Sequence, residues 1–123
     1  MQPVSIPSAP MIVPASDVRI VLTTAGSRDE GERLAQALVE GGLAACVNLV
    51  PGLTSIYRWQ GAVESADEVL LLIKTTTARL ESVQAALHAA HSYEVPEFLV
   101  LTTESASHAY LEWLLQATTT PRS

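Results

Sequence analysis

At 123 residues and 48% hydrophobic content, the chain has the length of one domain and enough apolar material for one core. Its formal charge of −6, with 7 basic residues scattered among 13 acidic ones, argues against nucleic acid as a partner. The single cysteine, Cys46, excludes an intrachain disulfide, and no apolar run reaches the roughly 18 residues of a membrane span, so no membrane partner is expected.

Residues 1–16 carry Pro3, Pro7, Pro10 and Pro14, with no basic stretch ahead of an apolar one. They predict a flexible arm and not a secretory leader, which together with the lone thiol fits a cytoplasmic protein. Asp17 to Thr24 predicts a strand, with Val18, Ile20 and Leu22 alternating with Arg19 and Val21. Ala25-Gly26 turns the chain, and Ser27 with Glu30 three residues on predicts a capping box. Leu34, Ala35, Leu38 and Val39 then fall at helical spacing until Gly41-Gly42 stops the helix. Leu43 to Gly61, LAACVNLVPGLTSIYRWQG, reads as a second strand, yet an average strand has about 5–6 residues. A run this long must bend near Pro51-Gly52, reach beyond its own domain, or both.

Gly61-Ala62 marks a turn, and Val63 to Lys74 predicts a third strand, antiparallel to the second. A second helix starts near Thr77, with Leu80, Val83 and Leu87 inward. Ala90 to Glu97 is a loop, because Pro96 keeps Val95 out of the helical region. Phe98 to Thr103 is a fourth strand. Ser105 caps a last helix with Tyr110, Leu111, Leu114 and Leu115 inward, and residues 118–123 form a flexible tail.

Over residues 17–117 this order is β-α-β-β-α-β-α. It is the α+β, ferredoxin-like split βαβ pattern with an extra C-terminal helix. Both faces of the late strands are apolar: Val69, Leu71 and Ile73 oppose Leu70 and Leu72, and Phe98 and Val100 oppose Leu99 and Leu101. Helices cover one face; one helix could wrap around to the other, but three short helices look insufficient. The second face then needs a cover, which a symmetric oligomer packed sheet on sheet would supply.

Few residues invite chemistry. Cys46 could offer a soft ligand for copper, although a small buried hydrophobe is the plainer reading. No CxxC or HxxxH spacing supports a structural zinc site. His88 and His91 lie three apart at a helix end, and His91 opens a loop holding Tyr93, Glu94 and Glu97, a candidate site for a divalent cation or small ligand. Arg58 and Gln60 alternate with Tyr57 and Trp59, a composition that suits a subunit interface. No phosphate loop, GxSxG or paired acid–base signature points to an enzyme. Small acylphosphatases share the strand order, and Arg28 and Asn48 sit roughly where that family keeps its arginine and asparagine, but Ala25-Gly26-Ser27 lacks its glycine-lined cradle.

LVEGGLAACVNLVPGLTSIYRWQG, IKT, YEVPE and YLEWL, in this order, resemble the CutA family of divalent-cation tolerance proteins over about residues 18–116. The resemblance implies a ferredoxin-like homotrimer whose long hairpin reaches neighbouring subunits, with likeness to the PII signalling proteins. It implies no catalysis. It implies copper or another divalent cation as ligand, with Cys46, His91 and Glu97 as the metal-associated positions. The chain departs from the family pattern at His91-Ser92-Tyr93, where proline usually follows the histidine. It departs again at Thr24-Ala25-Gly26, often a proline-containing TAP-like stretch, and at Ser105-Ala106-Ser107, where a glycine is common. The expectation is a cytoplasmic, non-enzymatic trimer that binds metal ions at low-specificity sites near subunit boundaries. A second reading is a PII-like sensor taking a small anionic ligand in an inter-subunit cleft, with Arg58 and Lys74 meeting the anion. A third is a scaffold without ligand.

Overall fold

Gln60 and Gly61 both have positive φ, 51° and 84°. That pair of left-handed residues makes the two-residue turn whose twist matches a β-hairpin. It joins β3 (Cys46–Trp59) to β4 (Ala62–Thr76), with Trp59 opposite Ala62. Six residues before Trp59 the register slips between Val50 and Leu53, so Pro51 and Gly52 form a bulge. Gly52 has φ 82°, which a side chain would resist. The over-long apolar run is thus one bent strand, as its Pro-Gly break predicted.

The computed structural model describes residues 10–119. Residues 1–9 of the predicted arm and 120–123 of the predicted tail lie outside that range. The remaining elements are β1 (Ile12–Pro14), β2 (Val18–Ala25), α1 (Arg28–Glu40), α2 (Leu80–Ala90, entered through a 3-10 turn), β5 (Leu99–Thr102), β6 (Ser105–Ser107) and α3 (His108–Ala117). The main sheet has the order β3-β4-β2-β5 and is antiparallel throughout. This is the ferredoxin-like arrangement, with the first and third predicted strands in the centre.

The register decides which side chains meet the helices. Val21 faces Ile73, Thr23 faces Leu71 and Ala25 faces Val69, and all six are buried. Leu34 and Leu38 of α1 and Val83 and Leu87 of α2 close that core. On the opposite face α3 seals one end, where Leu114 packs with Val18, Ala15 and Ala45. The rest of that face stays open. Ile20, Leu22, Leu70 and Leu72 are half-buried, while Leu99 and Leu101 are 56% and 44% exposed.

Three sequence expectations change. Ile12–Pro14 lies within the predicted flexible arm but is a strand, paired with Ser105–Ser107 through Val13↔Ala106. Prolines tolerate this because a two-stranded edge needs few donors. The last helix starts at His108 and is capped by Ser107, whose Oγ accepts from the Tyr110 N–H at 3.2 Å; Ser105 belongs to β6 instead. Thr118, the first residue of the predicted tail, is buried and its hydroxyl donates to the Leu114 carbonyl at 2.9 Å.

Leu71 is fully buried at the centre of the main core. Leu71→Ala is expected to lower stability by about 2–5 kcal/mol in urea unfolding at fixed protein concentration. A loss below about 1 kcal/mol would mean that the core lies elsewhere.

Candidate functional site: an acidic cleft beside the long hairpin

β4 pairs with β2 only from Val69 onward, so Ala62–Glu68 and its β3 partners project past the sheet. The α2–β5 loop stands beside this projecting arm, and the space between them is a cleft of about 680 Å³. Tyr57 and Trp59 come from β3, Glu64 and Glu68 from β4, and Tyr93, Glu94 and Glu97 from the loop. Tyr57 lies directly opposite Glu64 in the ladder, which puts both on one side of the hairpin. Among the described residues, four carboxylates line the cleft and no Lys, Arg or His does.

The loop wall is tied down by buried and part-buried polar contacts. Ser27 caps α1 as predicted, its Oγ accepting from the Glu30 N–H at 3.1 Å. The Glu30 carboxylate does not complete a capping box by returning to Ser27. It accepts from the Ser92 N–H at 2.8 Å, the Ser92 hydroxyl at 3.1 Å and, more weakly, the Gly26 N–H at 3.4 Å. Burial alone would raise its pKa; the Ser92 bonds, the neighbouring His91 ring and the Gly26 N–H outweigh that and hold the carboxyl below 4.5. Glu30 is the residue that sequence reasoning missed, because a capping-box glutamate is ordinarily a local device.

His91 caps α2 and is buried. Its Nε2 is 2.6 Å from the Thr24 carbonyl, which can only accept, so Nε2 carries the proton. In the neutral ring Nδ1 accepts the Tyr93 N–H at 3.0 Å, and it lies 3.6 Å from the Glu30 carboxylate, with which a protonated ring would pair. Tyr93 stands against His91, ring centroids 4.6 Å apart, and its hydroxyl donates to Glu68 at 2.7 Å. Burial, then this bond and the carboxylate charges, push the Tyr93 phenol well above its ordinary value. A Cβ on Gly26 would come within 3.2 Å of the Tyr93 hydroxyl, so the ring is closely seated.

The three predicted metal positions do not converge. Glu97 lines the cleft. His91 lies behind the cleft wall with both ring nitrogens engaged, so coordination would cost a buried hydrogen bond. Cys46 is buried near α3, where it adds to burial in raising the Tyr110 pKa. It lies level with Ile20 across β4, four residues along β2 from Thr24, a separation of roughly 13 Å along the strand. Among the described residues, no three His, Cys, Asp or Glu side chains form a metal-holding group. A preformed chelate within one chain does not fit these residues.

The basic pair expected to meet an anion is dispersed too. Arg58 lies on the other side of the hairpin from Tyr57 and Trp59 by alternation, and Lys74 donates to Asn48 at the far end of the sheet. Arg28 pairs with Glu32 on the surface at 3.1 Å, which leaves no acylphosphatase-like arginine–asparagine pair.

Because the folded pKa of Glu30 is depressed, its stabilisation is present above about pH 4.5 and lost as pH falls through the folded value. Glu30→Gln is expected to cost about 1–3 kcal/mol near neutral pH. It should also flatten the fall in stability as pH drops below about 4.5. Urea unfolding across that window checks this, and parallel curves for the two proteins would overturn the assignment.

Residues 19–117 match the family model of the CutA1 divalent ion tolerance protein. The chain is 48% identical over 99 residues to the divalent-cation tolerance protein CutA of Thermus thermophilus, covering 80% of this chain and 96% of that protein. It is 44% identical to the chloroplastic CutA of Arabidopsis thaliana over 80% of this chain, but that match spans only 54% of the plant protein. The solved structure of CutA from Synechococcus elongatus superposes with a TM-score of 0.85 at 42% identity, covering 89% of this chain and 96% of that one. No helix among the described residues is long and apolar enough to cross a membrane. The matched segment, the strand order and the hairpin together place this chain in the CutA1 divalent ion tolerance family.

Proposed function

We propose that this chain serves divalent-cation tolerance by binding metal ions, copper among them, at low specificity, as a cytoplasmic homotrimer that catalyses no reaction. The observation that carries the reading is the cleft itself: four carboxylates and no basic residue, in a chain of net charge −6. Carboxylate oxygens are hard ligands for divalent ions. Of the residues named from the sequence, Glu97 is the proposed ligand, with Glu64 beside it. Cys46 and His91 would join only after giving up burial or a hydrogen bond. No three-ligand group forms among the described residues, which favours weak sites completed by water or by a neighbouring copy. The cytoplasmic placement rests on the free thiol of Cys46.

The trimer rests on the open sheet face. Val50, Leu99 and Leu101 are exposed there beside half-buried Leu22, Leu70 and Leu72. One face of apolar side chains this broad has to be covered, and identical copies cover it symmetrically.

Leu101→Glu is expected to convert the assembly to monomers in sedimentation velocity at micromolar concentration. A wild-type monomer under the same conditions would sink the trimer. In calorimetric titration with Cu(II) and Zn(II), Glu97→Gln is expected to weaken binding several-fold, while Cys46→Ser leaves it unchanged. Absence of saturable binding of either ion would refute the metal reading.

A further inference from the structure

The acidic cleft has features that a bare metal ion does not use. A coordinated divalent ion sits about 2.0–2.6 Å from its ligands and needs several of them converging. Here no three donors converge among the described residues. The volume, about 680 Å³, is instead that of a small-molecule pocket. Three aromatic rings, Tyr57, Trp59 and Tyr93, line the same space as the four carboxylates. Aromatic faces attract cations through the ring quadrupole and favour weakly hydrated organic ones, which carboxylates alone do not select.

We propose that this cleft binds a small organic ammonium ion, a quaternary or protonated amine, seated against Tyr57 and Trp59 with Glu64 and the loop carboxylates as counter-charge. The proposal rests on reading the cleft as a cation site and names a different class of cation for it. The charge sign follows from the lining, which has acids and no base. The aromatic wall comes in two parts. Tyr93 is held in place by Glu68 at 2.7 Å and by its contact with His91, so that wall is preorganised. Tyr57 and Trp59 remain 40% and 38% exposed at the end of the hairpin, large apolar rings left facing the cleft. Glu68 is already committed to Tyr93, which leaves Glu64, Glu94 and Glu97 as the free carboxylates of the lining.

The test is calorimetry of the full chain in phosphate buffer, with tetramethylammonium, choline and the neutral tert-butyl analogue of choline as probes. Choline is expected to saturate one site per chain and to bind about tenfold more tightly than its neutral analogue. Trp59→Leu keeps apolar bulk but removes the ring, and should weaken choline about tenfold. Glu64→Gln should weaken it several-fold. Both positions are exposed, and thermal melts confirm that each variant is folded. Equal binding of choline and its neutral analogue, or unchanged choline binding in Trp59→Leu, would overturn the proposal. Cu(II) titration of the same samples separates it from the metal reading. Copper bound alike by wild type and Trp59→Leu, with no saturable choline binding, defeats the ammonium proposal alone. Choline binding without copper binding upholds it and defeats only the metal reading.

Discussion

The structure depends on an inequality of strand lengths. β2 has 8 residues, β3 has 14 and β4 has 15. β4 can pair on both edges only where β2 lasts, from Val69 to Thr76. Ala62–Glu68 therefore has β3 as its one partner and projects roughly 23 Å from the sheet. Within the doubly paired half, side chains bury into the helices. In the projecting half they meet no helix and remain exposed or half-buried. The same hairpin thus supplies core at one end and one wall of the cleft at the other.

The projecting arm forms a cleft only because something rigid stands beside it. That role falls to the loop after α2, whose backbone leaves the helix at His91. Glu30 from α1 accepts from Ser92, and His91 reaches the Thr24 carbonyl on β2. Two separate elements thereby converge on two consecutive residues after α2. The His91 contact is buried and the Glu30–Ser92 contact part-buried, where an unmade hydrogen bond is costly, so they fix the loop more firmly than an exposed pair would. Tyr93 is then aimed at Glu68 across the cleft. Stability and site geometry share these residues, so changes at Glu30 are expected to act on the cleft without touching it.

Much of the fold was legible in local pattern. Alternation located the strands, Ser27 located the start of α1, and Pro51-Gly52 located the bulge. The candidate site was legible only in pieces. The loop residues Tyr93, Glu94 and Glu97 stood out as a polar group, and Tyr57 and Trp59 as an aromatic pair. Nothing local said that the two groups face one another. At His91 local pattern left the ring's direction open, because a histidine beside carboxylates looks the same in sequence whether its nitrogens point to solvent or to a carbonyl. At Cys46 the plainer reading, a small buried hydrophobe, matches its place beneath α3.

The sequence by itself determined the element order, the apolar strand faces, the bend in the long run and the sign of the surface charge. These follow from nearest-neighbour chemistry: period, backbone freedom at glycine and proline, and a count of ionisable groups. Tertiary structure alone decided that Glu30 leaves its cap to hold Ser92, that His91 spends both nitrogens inside, and that the ends of the hairpin and the loop enclose an acidic, aromatic cleft. Those outcomes depend on side chains brought together across 25 to 67 positions of sequence, Glu68 with Tyr93 and Thr24 with His91 being the two extremes. Only packing brings such pairs within hydrogen-bonding distance, so only the fold could set the His91 nitrogens against Thr24 and Tyr93.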